Sequence, residues 1–295
     1  MVWDKMKRKI TCKNEDGMSV TFGSSFSPYL LMDCEGIYSA KSSVTISQNT
    51  MTDGGTYQGS VALIRDIILY IATKDNHQEN RKQLNNLFKH KSPGTLIYEE
   101  NGIQRQIQYY VEEVDPESKK KCRQTIVSLR CPDPYFTSMS DTVVAMAGWL
   151  PLFEFPYEFL DEGKEIETRV NEKLKTIENL DAADHIGLKI EITATGPVRN
   201  PSIYHVESGE FIKVGTEYFP FEMQVGDSVI ITTGKDNKHV YLERGGIKSK
   251  INGYLDENSE FIQLMSGKNT LGYSAESGED YMTVEVSFRY KFLGV

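Results

Sequence analysis

The chain has 295 residues, a length that favours two domains at roughly 150 residues each and allows a sizeable core. Charged residues make up 25% and hydrophobic residues 39%, which excludes both a disulfide-stapled miniprotein and a largely disordered chain. A net charge of −9 argues against sequence-wide attraction to nucleic acid or to an anionic membrane.

The N-terminus and the cysteines indicate where the chain is made. The first ten residues, MVWDKMKRKI, lack the apolar stretch of a secretion signal, and the longest apolar runs fall short of the roughly 18 residues that span a bilayer. The four cysteines show neither zinc-ligand spacing nor a secreted disulfide pattern. We therefore expect a soluble chain with reduced, half-buried thiols, made in a cytoplasm.

Charge is distributed unevenly along the chain. Residues 1–137 contain 18 basic and 16 acidic side chains, whereas residues 138–295 contain 15 basic and 26 acidic ones. The proline-rich segment Cys131–Phe136 lies just before the change. These observations predict two domains, 1–137 and 138–295.

Local patterns in the first half predict β-hairpins and one helix. The segment Lys7–Phe22 forms two extended runs around a turn that ends in Gly17, and a second hairpin has its turn at Asn101-Gly102. The segment Asp75–Lys89 has a helical stripe and is ended by Ser92-Pro93-Gly94. That stripe consists of Arg81, Leu84, Leu87 and Phe88.

Two further segments complete the first half. The run Val61–Thr73 fits both a helix and a strand, and its isoleucine content favours a strand. The run Cys122–Cys131 alternates as a strand does. A mostly antiparallel β unit carrying one helix is predicted.

A polar, glycine-bearing loop of about eleven residues is predicted at Asn49–Gly59. It lacks the Lys-Ser/Thr closure of a phosphate-binding loop. Two interpretations stay open, an arm that docks on a neighbouring subunit and a plain exposed turn. The first makes Asp53, Gly54, Gly55 and Tyr57 the candidate oligomer-interface residues.

The second half shows strong alternation. Ile186–Ala194 and Met282–Phe292 each place apolar residues at every second position, and turn clusters separate short runs between them. This spacing predicts a β-sandwich or jelly roll. The segment Ile166–Leu180 also fits a helix, and its structure is left open.

Motifs for catalysis or metal binding are not found in the sequence. The five histidines lack HxH or HExxH spacing, and the acidic run Asp256–Glu260 lacks the glycine and distal glutamate of a calcium loop. Acidic neighbours offset the basic run Lys119–Lys121, which makes a nucleic-acid patch improbable. No catalytic residue, cofactor or metal site is predicted.

At this point the order of several fragments resembles the distal tail proteins of long-tailed phages that infect Gram-positive bacteria. The resemblance extends over nearly the whole chain, although Asp161–Asp184 matches poorly. It is carried by Asp53–Thr73, the helix with Arg81, Leu84 and Leu87, Pro93-Gly94 before the Asn-Gly hairpin, Cys131–Phe136, Gly196–Pro201 with the turn Ser208–Glu210, Gly226-Asp227 and Tyr290–Val295.

The resemblance implies a fold and a role. The fold is mainly β: an N-terminal β-sandwich-like domain with one α-helix, and a C-terminal galectin-like or jelly-roll β-sandwich. The role is that of a structural, non-enzymatic ring, usually a hexamer, at the virion tail tip and assembled in the host cytoplasm. Its implied partners are the tail tube protein, a tail-associated hub protein and a receptor-binding protein.

Open sheet edges give a physical reason for a ring, because a closing head-to-tail contact lets each subunit cover its neighbour's edge. On this hypothesis residues 1–137 form the ring and residues 138–295 project from it. One alternative is a carbohydrate-binding module for cell-wall glycans with exposed aromatic residues such as Tyr254 and Tyr273. Another is a glycoside hydrolase with paired carboxylates such as Asp161-Glu162.

Overall fold

The computed structural model describes residues 8–23, 27–48, 51, 53–74, 76–117, 124–151, 167–171, 173–180 and 183–295. Their contacts divide the chain into two compact units. One unit consists of Met1–Met139 with Lys291–Val295, and the other of Ser140–Tyr290. Strands dominate both units, which confirms the prediction of a mainly β fold.

The first unit contains ten strands before residue 139 and one helix in its described part. In chain order they are β1 (Arg8–Asn14), β2 (Ser19–Phe22), β3 (Tyr29–Glu35), β4 (Ser42–Gln48), β5 (Gly55–Ala62), β6 (Arg65–Thr73), α1 (His77–Leu87), β7 (Pro93–Glu100), β8 (Ile103–Glu117), β9 (Gln124–Cys131) and β10 (Phe136–Ser138). Seven of them form an antiparallel sheet in the order β2-β1-β7-β8-β9-β6-β3, and β10 pairs with β8. Strands β4 and β5 form a separate two-stranded sheet.

Turn chemistry explains the hairpins of this sheet. Asn101 and Gly102 both have positive φ, 52° and 87°, as the two-residue turn that matches strand twist requires. The β1–β2 turn uses Gly17 at φ 82°. Both predicted hairpins are confirmed.

The helix packs on the sheet through a different stripe from the one predicted. Leu84, Leu87 and Phe88 are buried, but Arg81 is exposed and Asn80 is buried in its place. Asn80 is four residues before Leu84 and therefore lies on the same face. Tyr29 donates a hydrogen bond to the Asn80 carbonyl at 3.3 Å. In the described part of the chain, no helix is long and apolar enough to cross a membrane.

The run predicted as a strand at 61–73 consists of two strands with a break. The end of β5 reaches Ala62, Leu63 and Ile64 lie outside the strands, and β6 starts at Arg65. Ile67, Leu69 and Ile71 of β6 are buried at every second position. The choice of strand over helix was correct, because the alternating side chains face a sheet core.

The second unit contains fourteen described strands. They are β11 (Thr142–Pro151), β12 (Glu167–Asn171), β13 (Leu174–Asn179), β14 (Ile186–Gly187), β15 (Lys189–Ala194), β16 (Val198–His205), β17 (Phe211–Lys213), β18 (Glu222–Met223), β19 (Ser228–Gly234), β20 (Asn237–Arg244), β21 (Ile247–Lys250), β22 (Gln263–Leu264), β23 (Gly267–Ser277) and β24 (Met282–Phe288). The segment left open at 166–180 therefore supplies two strands in its described part, β12 and β13.

Two sheets of the second unit share one core. The larger has the order β12-β11-β24-β15-β19-β20-β21, and the smaller has the order β13-β23-β16-β17 with β18 on β16. Ile190, Val229 and Val284 of the first sheet and Ile203 and Leu271 of the second belong to one buried cluster. This unit is a β-sandwich.

The end of the chain belongs to the first unit, and not to the second as the predicted range 138–295 had it. A last strand, β25 (Lys291–Phe292), pairs with β10. Arg105 stacks on the Phe292 ring at 4.0 Å and donates a hydrogen bond to the Gly294 carbonyl. Phe292 therefore does not continue the alternating apolar face of β24. It packs instead against the core of the first unit, whose residues are distant from it in sequence.

Candidate subunit interface

The candidate interface of the first unit is the exposed hairpin of β4 and β5, here called the arm. Its fifteen strand residues contain no charged side chain, in a chain that is 25% charged. Fourteen of the fifteen are exposed, and Gly59 is intermediate. Exposed strand edges in monomers usually carry charges or proline that prevent pairing, and these edges carry neither.

The two faces of the arm differ in polarity. Val44, Ile46 and Tyr57 share one face, because Ile46 pairs with Tyr57 and Val44 lies two residues from Ile46. They are 52%, 58% and 63% exposed. The opposite face carries Ser47 and Gln58, whose side chains are joined by a hydrogen bond of 3.0 Å. Toward the base of the arm that face also carries Val61, which pairs with Ser43 and is 65% exposed.

The predicted interface residues all lie at or beside the end of the arm. Asp53 and Gly54 are in its turn, where Gly54 has φ 90°, and Gly55 and Tyr57 are in β5. A Cβ on Gly55 would meet the Ile46 Cγ2 atom at 2.6 Å, so glycine lets the strands approach here. The predicted loop at 49–59 is shorter than expected, because β5 starts at Gly55.

Sequence reasoning missed Val44 and Ile46, which complete the apolar face with Tyr57. A signal was present, since these residues occupy alternate positions in the β-branched, uncharged run Ser42–Gln48. The run was not recognised because its partner strand was interpreted as a loop.

The arm is joined to the sheet beside a buried arginine. Arg65, 2% exposed, donates hydrogen bonds to the carbonyls of Pro134 at 2.7 Å, Gly36 at 2.9 Å, Ile37 at 3.1 Å and Leu293. These carbonyls lie on three separate segments. Gly36 and Ile37 precede the arm, Pro134 precedes β10, and Leu293 follows β25. We call this arrangement the Arg65 clamp.

Burial lowers the pKa of Arg65 below its ordinary value. The guanidinium also lies over the Phe136 ring, with its Cζ atom 5.0 Å from the ring centre. Five donors in a planar fork suit a site with several carbonyls around one charge. The clamp thereby fixes the base from which the arm leaves the sheet.

Other residues singled out in the sequence are not gathered into a site. Within the described residues, His, Cys, Asp and Glu form no group of three or more that could hold a metal ion. Cys12, Cys34 and Cys131 are free and buried, so they are more deeply placed than the half-buried thiols expected. Cys122, the run Lys119–Lys121 and the pair Asp161-Glu162 lie outside the described residues.

The aromatic pair considered for carbohydrate binding is not exposed as a pair. Tyr273 is 1% exposed and belongs to the core of the sandwich, whereas Tyr254 is 47% exposed. Tyr254 packs edge-on against Phe221, with ring centres 5.4 Å apart. Tyr254 and Tyr273 therefore do not form the exposed aromatic pair that the carbohydrate-binding alternative requires.

A comparison with known families matches one part of the chain. Residues 182–292 match the family described as siphovirus-type tail component, C-terminal domain. They cover most of the sandwich of the second unit and reach β25. This part of the chain is therefore similar to the C-terminal domain of siphovirus-type tail components.

Solved structures extend the likeness to the first unit. The SPP1 Dit (gp 19.1) protein, described as a paradigm of the hub adsorption apparatus in phages infecting Gram-positive bacteria, has a TM-score of 0.68 at 12% identity over 96% of this chain and 99% of its own. Chains of the phage P2 baseplate in its activated conformation give TM-scores of 0.51 with Ca and 0.50 with Sr, at 13% and 12% identity, over 98% of this chain and 99% of theirs.

A comparison with curated proteins gives no match. At 12–13% identity the solved structures show only that the fold is shared. The family match applies to residues 182–292. Together they confirm the resemblance to the distal tail proteins of siphoviruses.

Proposed function

We propose that the chain is a structural hub of the phage tail tip that assembles through the first unit into a ring, with six copies as in the resemblance above. The exposed apolar face of an uncharged arm is the observation that carries the proposal. The ring joins the tail tube protein to a tail-associated hub protein and a receptor-binding protein, and the galectin-like second unit projects from it. Assembly takes place in the host cytoplasm, and the ring has no catalytic role.

The energetics of the arm support subunit contact. An isolated two-stranded hairpin is at best marginally stable in water. Fully burying a side chain such as Val or Ile contributes about 1.5–3 kcal/mol, so covering the exposed halves of Val44, Ile46 and Tyr57 contributes roughly 3 kcal/mol per arm. A neighbouring copy that covers this face stabilises both the arm and the contact.

Symmetry explains why such a contact closes. An arm that docks on a different surface of the next copy makes a head-to-tail interface, and head-to-tail interfaces generate rings when the rotation closes. Residues 1–137 are nearly neutral, as suits a buried interface, whereas residues 138–295 carry the excess of acidic groups that keeps an assembly soluble.

The test is the mass of the purified full chain in solution. Light scattering at micromolar concentration should give about six times the 33.5 kDa mass of one chain. Ile46→Asn should weaken assembly at least tenfold, because it places an amide on the apolar face. Thr45→Asn is the matched control. It introduces the same asparagine side chain at the preceding position of β4, on the polar face of the arm.

Two results would contradict the proposal. One is a wild-type chain that stays monomeric at micromolar concentration. The other is an assembly that both asparagine variants weaken equally, because the effect would then come from strand propensity and not from the apolar face.

A further inference from the structure

The second unit presents an aromatic turn, Thr216–Pro220, that the ring does not use. Tyr218 is 86% exposed and Phe219 is 75% exposed. Both rings expose most of their apolar surface to water. Contiguous exposed apolar side chains often mark an interaction site.

Hydrogen bonds within the turn hold its shape. The Thr216 N–H donates to the Phe219 carbonyl at 3.0 Å, and the Phe219 N–H donates to the Thr216 Oγ1 atom at 3.0 Å. Pro220 follows and fixes its own φ. The two rings are therefore carried on a closed turn.

A buried asparagine supports the turn from below. Asn200 is 1% exposed with φ 48°, accepts a hydrogen bond from the Phe221 N–H at 2.8 Å, and donates to the Thr216 carbonyl at 3.3 Å and to Glu276 at 2.6 Å. Gly215 leaves room for it, because a Cβ there would meet the Asn200 Oδ1 atom at 2.0 Å. The turn is thus preorganised, which reduces the entropy lost on binding.

Charge around the turn restricts its partner. Glu217 is exposed within the turn and Glu222 follows it, 68% exposed. Arg199 lies 3.9 Å from Glu222 and 3.3 Å from Glu276, which leaves the surroundings net acidic. A partner that covers the rings must be neutral or basic at its rim.

We propose that Tyr218 and Phe219 anchor the second unit in an apolar groove, rimmed by lysine or arginine, of another tail protein. A protein groove fits better than a glycan, because both rings are largely exposed and both of the turn's bonded N–H groups are already used internally. Small-molecule sites are usually concave and offer a few placed polar groups to the ligand. Rigid tyrosine and other aromatic anchors are frequent at the centres of protein interfaces. The inference rests on the tail role proposed above.

The test compares tail particles assembled with different forms of the full chain. These are the wild type, the double variant Tyr218→Ser with Phe219→Ser, the conservative Tyr218→Phe, and the control Val225→Ser, which alters a side chain 73% exposed in the same unit. Quantitative mass spectrometry measures the copy number of every protein in the particles. Circular dichroism of the purified variants verifies the fold.

The double variant should enter particles at the wild-type copy number, and one other tail protein should fall below a tenth of its wild-type amount. Tyr218→Phe and Val225→Ser should keep that protein. A full protein complement with the double variant overturns the inference, and so does failure of the double variant to form the ring. Wild-type binding to a cell-wall glycan array that the double variant loses, with unchanged particle composition, also overturns it. Absence of the wild-type chain itself from tail particles contradicts the proposed function instead.

Discussion

Replacing Arg65 by lysine should destabilise the first unit far more than its conservative nature suggests. The arginine fork reaches four carbonyls on three segments, whereas a lysine ammonium donates from a single nitrogen. A hydrogen bond to a charged group contributes about 1.5–3 kcal/mol, so losing two of the four costs about 3–6 kcal/mol. For a unit of this size that loss corresponds to roughly 10–20 °C in Tm.

The assay is calorimetry of the full chain at one fixed concentration, because assembly makes Tm depend on concentration. The matched control is Arg130→Lys. Arg130 pairs with Asp66 at 3.1 Å and Glu112 at 3.0 Å, but its side chain is 47% exposed. An exposed pair contributes at most about 1 kcal/mol.

Hydrogen exchange adds a local readout for the same variant. Because Arg65 holds the Leu293 carbonyl, exchange at residues 291–295 should become faster in Arg65→Lys and stay unchanged in Arg130→Lys. Equal shifts of Tm in the two variants would refute the reasoning about the clamp.

Two further predictions concern titrating groups. The Arg244 guanidinium lowers the pKa of the Asp227 carboxyl from 3.8, so its contribution is present above that value and is lost as pH falls through the lowered pKa. Asp227→Asn should cost about 2 kcal/mol at pH 7 and flatten Tm against pH below about pH 4, and an unchanged acid slope would contradict this. Burial raises the pKa of Cys12 and Cys34, and that of Cys131 to about 12. Alkylation of these three at pH 8, followed by peptide mapping, should be roughly 100-fold slower in the folded chain than in denaturant, and equal rates would show that they are not protected.

Features set by a few neighbouring residues could be predicted from the sequence. The hairpin at Asn101-Gly102 depends on two residues that tolerate positive φ. The strand β6 is indicated by isoleucine and leucine at every second position. The helix α1 was found from its own stripe, although Asn80 and not Arg81 completes the buried face. Local chemistry determines each of these elements.

Features set by distant contacts could not be predicted. Phe292 continues the apolar alternation of β24, yet β10 and Arg105 hold it in the other unit. The Arg65 clamp joins residues up to 228 positions apart. Only the carbohydrate-binding alternative placed Tyr273 at the surface, and aromatic content alone does not distinguish a core ring such as Tyr273 from an exposed one.

The candidate interface was predicted in part. Asp53, Gly54, Gly55 and Tyr57 do lie at or beside the end of an exposed hairpin, and whether they contact a neighbouring copy stays a prediction. The apolar residues of β4 were missed because neither of its faces is buried within the chain, so the usual contrast between core and solvent positions is absent.

Electron microscopy of the purified full chain in negative stain tests the central claim most directly. Closed rings of about six copies are expected for the wild type and for Thr45→Asn, and their loss is expected in Ile46→Asn. Fields of separate single molecules for the wild type, at concentrations where light scattering is also measured, would contradict it.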